Sequence, residues 1–209
     1  MARIISVDEG APGIVKAMLG DGSLVVFRSY FFADTWPDNA GTAAPLLVSG
    51  LELPDACLAT AVAASDAERR ALVLIARAEQ YRRGLERKLS IRKFAAPAIT
   101  LALDRLEAQS LLSDLRYAKA WIRQRLRTHA EGPLSLAAAL AAKGVDRGAV
   151  QEAIGTTLSA DDRTGILEMA KARMVQRGLA GVDLKHALVS LGWRPNEVSL
   201  MILDTSSDA

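Results

Sequence analysis

The 209-residue sequence contains a single cysteine, Cys57. That excludes an internal disulfide framework and leads to the expectation of a reducing compartment, the cytoplasm. Its two histidines, His129 and His186, are far apart and have no CxxC or HExxH company, so no metal centre is expected. No GxxxxGK[ST] phosphate loop occurs, which argues against ATP hydrolysis. The carboxylates are scattered over charged stretches, and none pairs with another as an acid–base couple. Neither an enzyme nor a cofactor is therefore expected. No apolar run reaches the ~18 residues of a membrane span, so no membrane partner is expected. Met1 to Glu9 is too short and too soon acidic for a signal peptide. Aromatic residues make up only 5% of the chain. Cys57 lies in an apolar stretch and is expected to be buried rather than nucleophilic.

What the chain does have is helix-favouring composition and an uneven charge. Hydrophobic residues make up 50% and charged residues 24%, enough for a real core. The net charge is +2. Residues 1–67 carry 3 basic and 8 acidic groups, net −5. Residues 68–130 carry 15 and 6, net +9, and residues 131–209 carry 8 and 10, net −2. A positive middle segment suits an acidic protein surface or phosphate, although a solvated helix face would also carry it.

The first 60 residues read as a small antiparallel β region. Residues 3–7 alternate, 14–19 and 24–27 are apolar, and Asp21-Gly22 between the latter two is a hairpin signal. Residues 34–50 hold Pro37, Gly41, Pro45 and Gly50 and read as a loop, and 51–64 as a short apolar helix. Ser65-Asp66-Ala67-Glu68 has the capping-box pattern and predicts a helix start, running to about Tyr81. Further starts are predicted at Ser113-Asp114 and at Ser159-Ala160-Asp161-Asp162, and the tail from Asp204 to Ala209 is expected to fray.

Between these starts lies an internal repeat. Leu85, Leu89, Phe94, Ile99 and Leu103 form one set. Leu136, Leu140, Val145, Val150 and Ile154 form the second, and Leu184, Leu188, Trp193, Val198 and Ile202 the third. The spacings are four, five, five and four in each set, and all fifteen positions are apolar. Residues four apart share a helix face. Lys143-Gly144 and Leu191-Gly192 place glycine where a left-handed cap ends a helix. Pro97 and Pro195 suit the first turn of the next. The slot shared by Phe94, Val145 and Trp193 reads as core. The predicted fold is mainly α: three tandem three-helix repeats forming an elongated curved body, preceded by a small antiparallel β region. The expected divisions are 1–60, 61–112, 113–158 and 159–209.

Three stretches carry a family resemblance. Asp104 to Ala118, Gly132-Pro133-Leu134-Ser135-Leu136 through Leu140 to Lys143-Gly144-Val145, and Leu184 to Val198 with Gly192-Trp193 together resemble the repeats of the RecX family, in order, over roughly 66–204. The chain departs from the family pattern at Tyr81, where Ser or Thr is usual, at Gly84, where an acid is usual, and at Ala139, where Glu is common. These positions concern caps and surface contacts, not the apolar core. The resemblance implies a regulator that binds RecA filaments on single-stranded DNA and limits their growth, strand exchange and repressor cleavage in DNA repair and the SOS response; a monomer is expected. Some family members bind DNA directly.

The partner-binding candidates are basic. On the predicted helix 113–128, Lys119, Arg123 and Arg127 are spaced i, i+4, i+8, beside an apolar face of Ala118, Ile122 and Leu126. Like charges at that spacing cost about 0.2–0.5 kcal/mol per pair, which points to a negative partner or to nearby carboxylates. Arg82, Arg83, Arg87 and Lys88 form a second cluster. A RecA filament and independent single- or double-stranded DNA binding are both open at this stage, and an inert scaffold is the weaker third reading.

The repeat itself is testable. Replacing Leu140 by Ala should cost about 2–5 kcal/mol in a denaturant titration, as truncation of a packed core leucine does. A change near zero would remove Leu140 from the core.

Overall fold

The computed structural model describes residues 1–36 and 44–204. Pro37, Gly41 and the tail 205–209 lie outside the described residues. Two compact units divide the chain, Met1–Leu112 and Ser113–Ala209.

The first unit opens with β1 (Ala2–Ala11), β2 (Ile14–Leu19) and β3 (Leu24–Arg28), followed by α1 (Ser29–Thr35), β4 (Glu52–Leu53) and α2 (Asp55–Ile75). Then come α3 (Arg82–Ile91) and α4 (Ala96–Ala108). The sheet is antiparallel with order β3-β2-β1-β4. At the β2–β3 turn, Gly22 takes φ +83. The Asp21 carboxylate accepts hydrogen bonds from Ser23 Oγ and Ser23 N, which hold its pKa below the ordinary carboxylate value. The short helix α1 is absent from the sequence reading, and β4 stands at the start of the stretch 51–64 expected to be helical; the helix there begins only at Asp55, as part of α2.

The helix start expected at Ser65 is corrected. Residues 55–75 form one continuous helix, and the boundary expected at residue 60 falls within it. The reason is tertiary. Leu58, Ala61, Ala64, Ala67, Glu68 and Ala71 keep one face buried straight through Ser65. They share a core with Ile4, Val15, Phe27 and Phe31 on one side and with Leu103 and Leu106 on the other. Ser65 Oγ donates back to Ala61 O at 2.8 Å and accepts from Arg28 N at 2.8 Å. Glu68, read as a cap, is only 2% exposed. Its carboxylate accepts from Tyr30 Oη at 2.6 Å and lies 3.3 Å from Arg28 Nε. Burial, together with the hydrogen bond to Glu68, raises the Tyr30 pKa, so the phenol stays protonated. Arg105 stacks on the Tyr30 ring, 4.3 Å from its centroid. The helix also ends earlier than Tyr81, at Ile75.

The second unit contains α5 (Asp114–Leu126), α6 (Pro133–Lys143) and α7 (Arg147–Thr157), then α8 (Ala160–Gln176), α9 (Gly181–Ser190) and α10 (Pro195–Asp204). The expected cap at Ser113 forms by accepting from Arg116 N. The capping box at Ser159 and Asp162 is complete. Gly132 and Gly192 bring two of the helical groups into backbone contact. Gly132 N donates to Leu191 O at 2.8 Å and Leu134 N to Gly192 O at 3.1 Å. A Cβ on Gly132 would lie 2.3 Å from Gly192 O, so no side chain fits there. Trp193 is fully buried and donates from Nε1 to Ala130 O at 3.2 Å.

The fold is mainly α, three tandem three-helix groups (α2–α4, α5–α7, α8–α10) preceded by the antiparallel β region. Its three turns are built alike. Phe94 N bonds Leu89 O, Val145 N bonds Leu140 O, and Trp193 N bonds Leu188 O, at 3.2–3.3 Å. In each, the preceding residue is left-handed: Gly144 at φ +84, Gly192 at φ +87, and Lys93 at φ +65. Tyr81 and Gly84 also prove coupled. The Tyr81 ring lies where a Gly84 side chain would stand, 2.8 Å from an ideal Cβ, so the two departures from the family pattern belong together.

A left-handed lysine costs about 1–2 kcal/mol that glycine avoids, and glycine loses part of this gain through its freer unfolded chain. Lys93→Gly should therefore stabilise the protein by about 1 kcal/mol in thermal or denaturant unfolding. Destabilisation would show that the side chain of Lys93 supports the turn in another way.

Candidate partner-binding face

The α5 helix starts at the Ser113 cap with Asp114 in its first turn, the favourable end of the helix dipole for a carboxylate. Asp114 Oδ2 also accepts from Asp146 N at 2.8 Å, which ties the start of α5 to the start of α7. Ala118 and Ile122 are buried, on the side where α5 packs against α7. That choice of buried face fixes the direction of the others.

Lys119 stands at the α5–α7 seam, half-buried, with Nζ 3.9 Å from Glu152 Oε1. Arg123 and Arg127 are exposed, and neither joins an ion pair among the described residues. Arg125 is different in kind. Its guanidinium grips Glu131 Oε1 from Nη2 at 2.6 Å and from Nε at 3.0 Å, and it lies 6.0 Å from the Trp121 ring centroid. The hydrogen bond to Glu131 raises the Arg125 pKa, and this residue clasps the chain after α5. The basic stripe is thus a pair of free guanidinium groups next to a lysine shared with α7.

The second cluster is mostly engaged within its own unit. Arg82 reaches Glu86 at 3.2 Å, Asp104 at 2.7 Å and Glu107 at 2.5 Å, joining α3 to α4. Partial burial works against its charge, but the bonds to Asp104 and Glu107 outweigh that and raise its pKa. Arg83 lies 3.1 Å from Glu86, and Lys88 Nζ donates to Gln80 Oε1 at 2.6 Å. Arg87 is exposed and has no ion pair among the described residues. Lys119 and Arg123 lie on α5, Arg127 is its C-terminal cap because the helix ends at Leu126 rather than at the expected 128, and the other four lie on α3, in a different compact unit. Sequence reasoning missed the Arg28–Glu68–Tyr30 group and the Arg125–Glu131 clasp. Only the i, i+6 spacing of the latter was visible in the chain.

Cys57 is half-buried rather than fully buried. His129 and His186 are exposed. Among the described residues no group of three His, Cys, Asp or Glu is placed to hold a metal, and no helix is long and apolar enough to cross a membrane.

Residues 113–154, which contain α5, α6 and most of α7, match the family described as RecX, second three-helix domain. The chain is 41% identical over 86 residues to Regulatory protein RecX of Pseudomonas putida (strain W619), a match covering 41% of this chain and 54% of that protein. It is 32% identical over 109 residues to Regulatory protein RecX of Xanthomonas campestris pv. campestris (strain B100), covering 52% and 66%. The matched stretches therefore span about half to two thirds of these relatives. A crystal structure of regulatory protein RecX superimposes with TM-score 0.70 at 20% identity, over 98% of this chain and 100% of that one. RecX from Lactobacillus salivarius gives 0.60 at 18% identity, over 68% and 96%. At these identities the structural matches speak for the fold.

The three-carboxylate grip on Arg82 predicts unequal roles within the second cluster. Arg82→Ala should lower stability by about 1 kcal/mol, because Asp104 and Glu107 lose the cation they share at a partly exposed surface. Arg87→Ala should change it by no more than about 0.5 kcal/mol. Equal losses in urea titrations would contradict this division.

Proposed function

We propose that the chain is a RecX-type regulator that binds RecA filaments on single-stranded DNA and restrains their activity through the exposed side of α5, a reading supported by the match of residues 113–154 and by the similar RecX proteins. The observation that carries this reading is the pair Arg123 and Arg127. Arg123 projects from α5 and Arg127 caps its C-terminal end, both inside the segment matched to the family's second domain, and no carboxylate among the described residues neutralises them. Lys119 extends the same side, held loosely by Glu152. Exposed guanidinium groups left without internal partners suit an acidic protein surface or the phosphates a filament carries.

In this reading the protein acts by contact and not by catalysis, as a cytoplasmic monomer with no cofactor. The helical groups α2–α4, α5–α7 and α8–α10 present the contact surface, and the antiparallel β region braces the first of them. Arg87 and Arg83 are secondary contacts. Arg82 and Lys88 serve the fold first. The outcome for RecA is fewer extended filaments and less strand exchange and repressor cleavage.

The test is a charge reversal, Lys119→Glu, Arg123→Glu and Arg127→Glu together. Glutamate is a good helix former, so the melting curve should stay close to the parent's. Co-sedimentation with RecA filaments should weaken by about tenfold or more, because attraction becomes repulsion. The loss should be larger at low salt than at high salt. A variant that melts like the parent and inhibits strand exchange at the parent's concentration would remove this face from the site. Equal binding to naked single-stranded DNA, falling steeply with salt, would favour an independent DNA-binding protein.

A further inference from the structure

The first unit has an open sheet edge beside a helix. β3 is the terminal strand of the sheet. Its odd-numbered backbone groups face β2: Ser23 O accepts from Leu19 N, and Ser29 N donates to Gly13 O. The even-numbered groups of Leu24, Val26 and Arg28 therefore face outward. Arg28 N confirms this direction by donating to Ser65 Oγ of α2 at 2.8 Å. Leu24 and Val26 pair with no further strand among the described residues.

Edge strands are usually blunted by proline, an inward charge or a bulge. β3 reads Leu-Val-Val-Phe-Arg, and its register with β2 is unbroken. Leu24 is 63% exposed and Val26 44%. Beside this strand runs a groove of about 590 Å³, with residues 24–28 on one wall and Val62, Asp66, Arg69 and Val73 of α2 on the other. It shares Asp66, Arg69 and Val73 with a neighbouring cleft that adds Arg70 and Arg92. That end is cationic: three arginines against one aspartate, which Arg69 already holds at 2.8 Å. Arg70 Nε is buried there without a hydrogen-bond partner among the described residues.

We propose that the groove between β3 and α2 is a docking site for an extended segment of a partner protein, which adds to the sheet as a fifth strand and places acidic residues against Arg69, Arg70 and Arg92. Backbone bonds to Leu24 and Val26 supply affinity, and alternate apolar side chains of the segment meet Val62 and Val73. The acids give direction and selectivity. A single chain fits an edge walled by a helix. The sheet of a second copy would have to pass through α2, which stands at this edge through Ser65. The site lies in the unit Met1–Leu112 and does not depend on the α5 reading.

The test is selection of random ten-residue peptides displayed on phage against the full-length chain. Enriched peptides should alternate β-branched residues and carry Asp or Glu at one end. Their binding, read by fluorescence polarisation, should slow hydrogen exchange at the Leu24 and Val26 amides. Val26→Pro removes one outward N–H and no bond within the sheet, so it should melt near the parent and weaken binding about tenfold or more. Arg69→Glu with Arg92→Glu should weaken binding comparably and relax the acidic preference, which keeps the test decisive if the proline variant is unstable. Absence of enrichment would overturn the proposal. So would peptides indifferent to both variants, or sedimentation showing that the edge pairs with a second copy.

Discussion

Every helical group depends on burying one pair of leucines four residues apart on its middle helix. Leu85 and Leu89, Leu136 and Leu140, and Leu184 and Leu188 are all inaccessible or nearly so. A single α-helix cannot cover such a pair, so each middle helix needs a helix before and after it. The turn that follows must bring the next helix back within five residues. The bond from the slot residue to the second leucine's carbonyl does this, and a left-handed residue before the slot makes it possible. Glycine supplies that conformation twice and lysine once. One hydrophobic requirement thus sets helix order, turn geometry and the outward direction of the remaining faces.

Two polar or backbone contacts add what the leucines cannot. In the first unit Glu68 sits in the apolar face of α2, where a bare carboxylate would be costly. Tyr30 and Arg28 satisfy it, and Arg105 covers Tyr30. Strand β3, α1, α2 and α4 are therefore fixed around one charge. In the second unit the glycines at 132 and 192 allow the backbones of α6 and the α9–α10 turn to approach within hydrogen-bond distance. Hydrophobic contacts alone are non-directional. These contacts specify register.

The charge distribution follows from the same packing. Arg82, Arg125 and Lys119 face carboxylates of their own chain and contribute to holding helices or loops together. Arg123, Arg127 and Arg87 do not. A net charge of +9 over the middle segment therefore overstates what is offered to a partner, and the groups left outward are few and locatable. The cationic end of the β3–α2 groove is a separate surface with separate chemistry, backbone pairing plus acid recognition.

The helical repeats are legible in the chain, because a four-five-five-four apolar spacing can be buried in few other ways. So are Gly144 and Gly192 as caps, the Ser113 and Ser159 helix starts and the Asp21-Gly22 turn, since each is a local rule written in adjacent residues. Packing between distant segments carries α2 through Ser65, because the burial of Ala61, Ala64 and Ala71 in the shared core outweighs a local cap. It also puts Lys93 in a conformation lysine does not favour, because the leucine pair behind it demands the turn. Nor could the chain show that Arg82 meets Asp104 and Glu107 while Arg123 and Arg127 meet no carboxylate. Residues on neighbouring helices are distant in sequence, and which charges neutralise one another is set by how helices pack, not by their spacing along the chain.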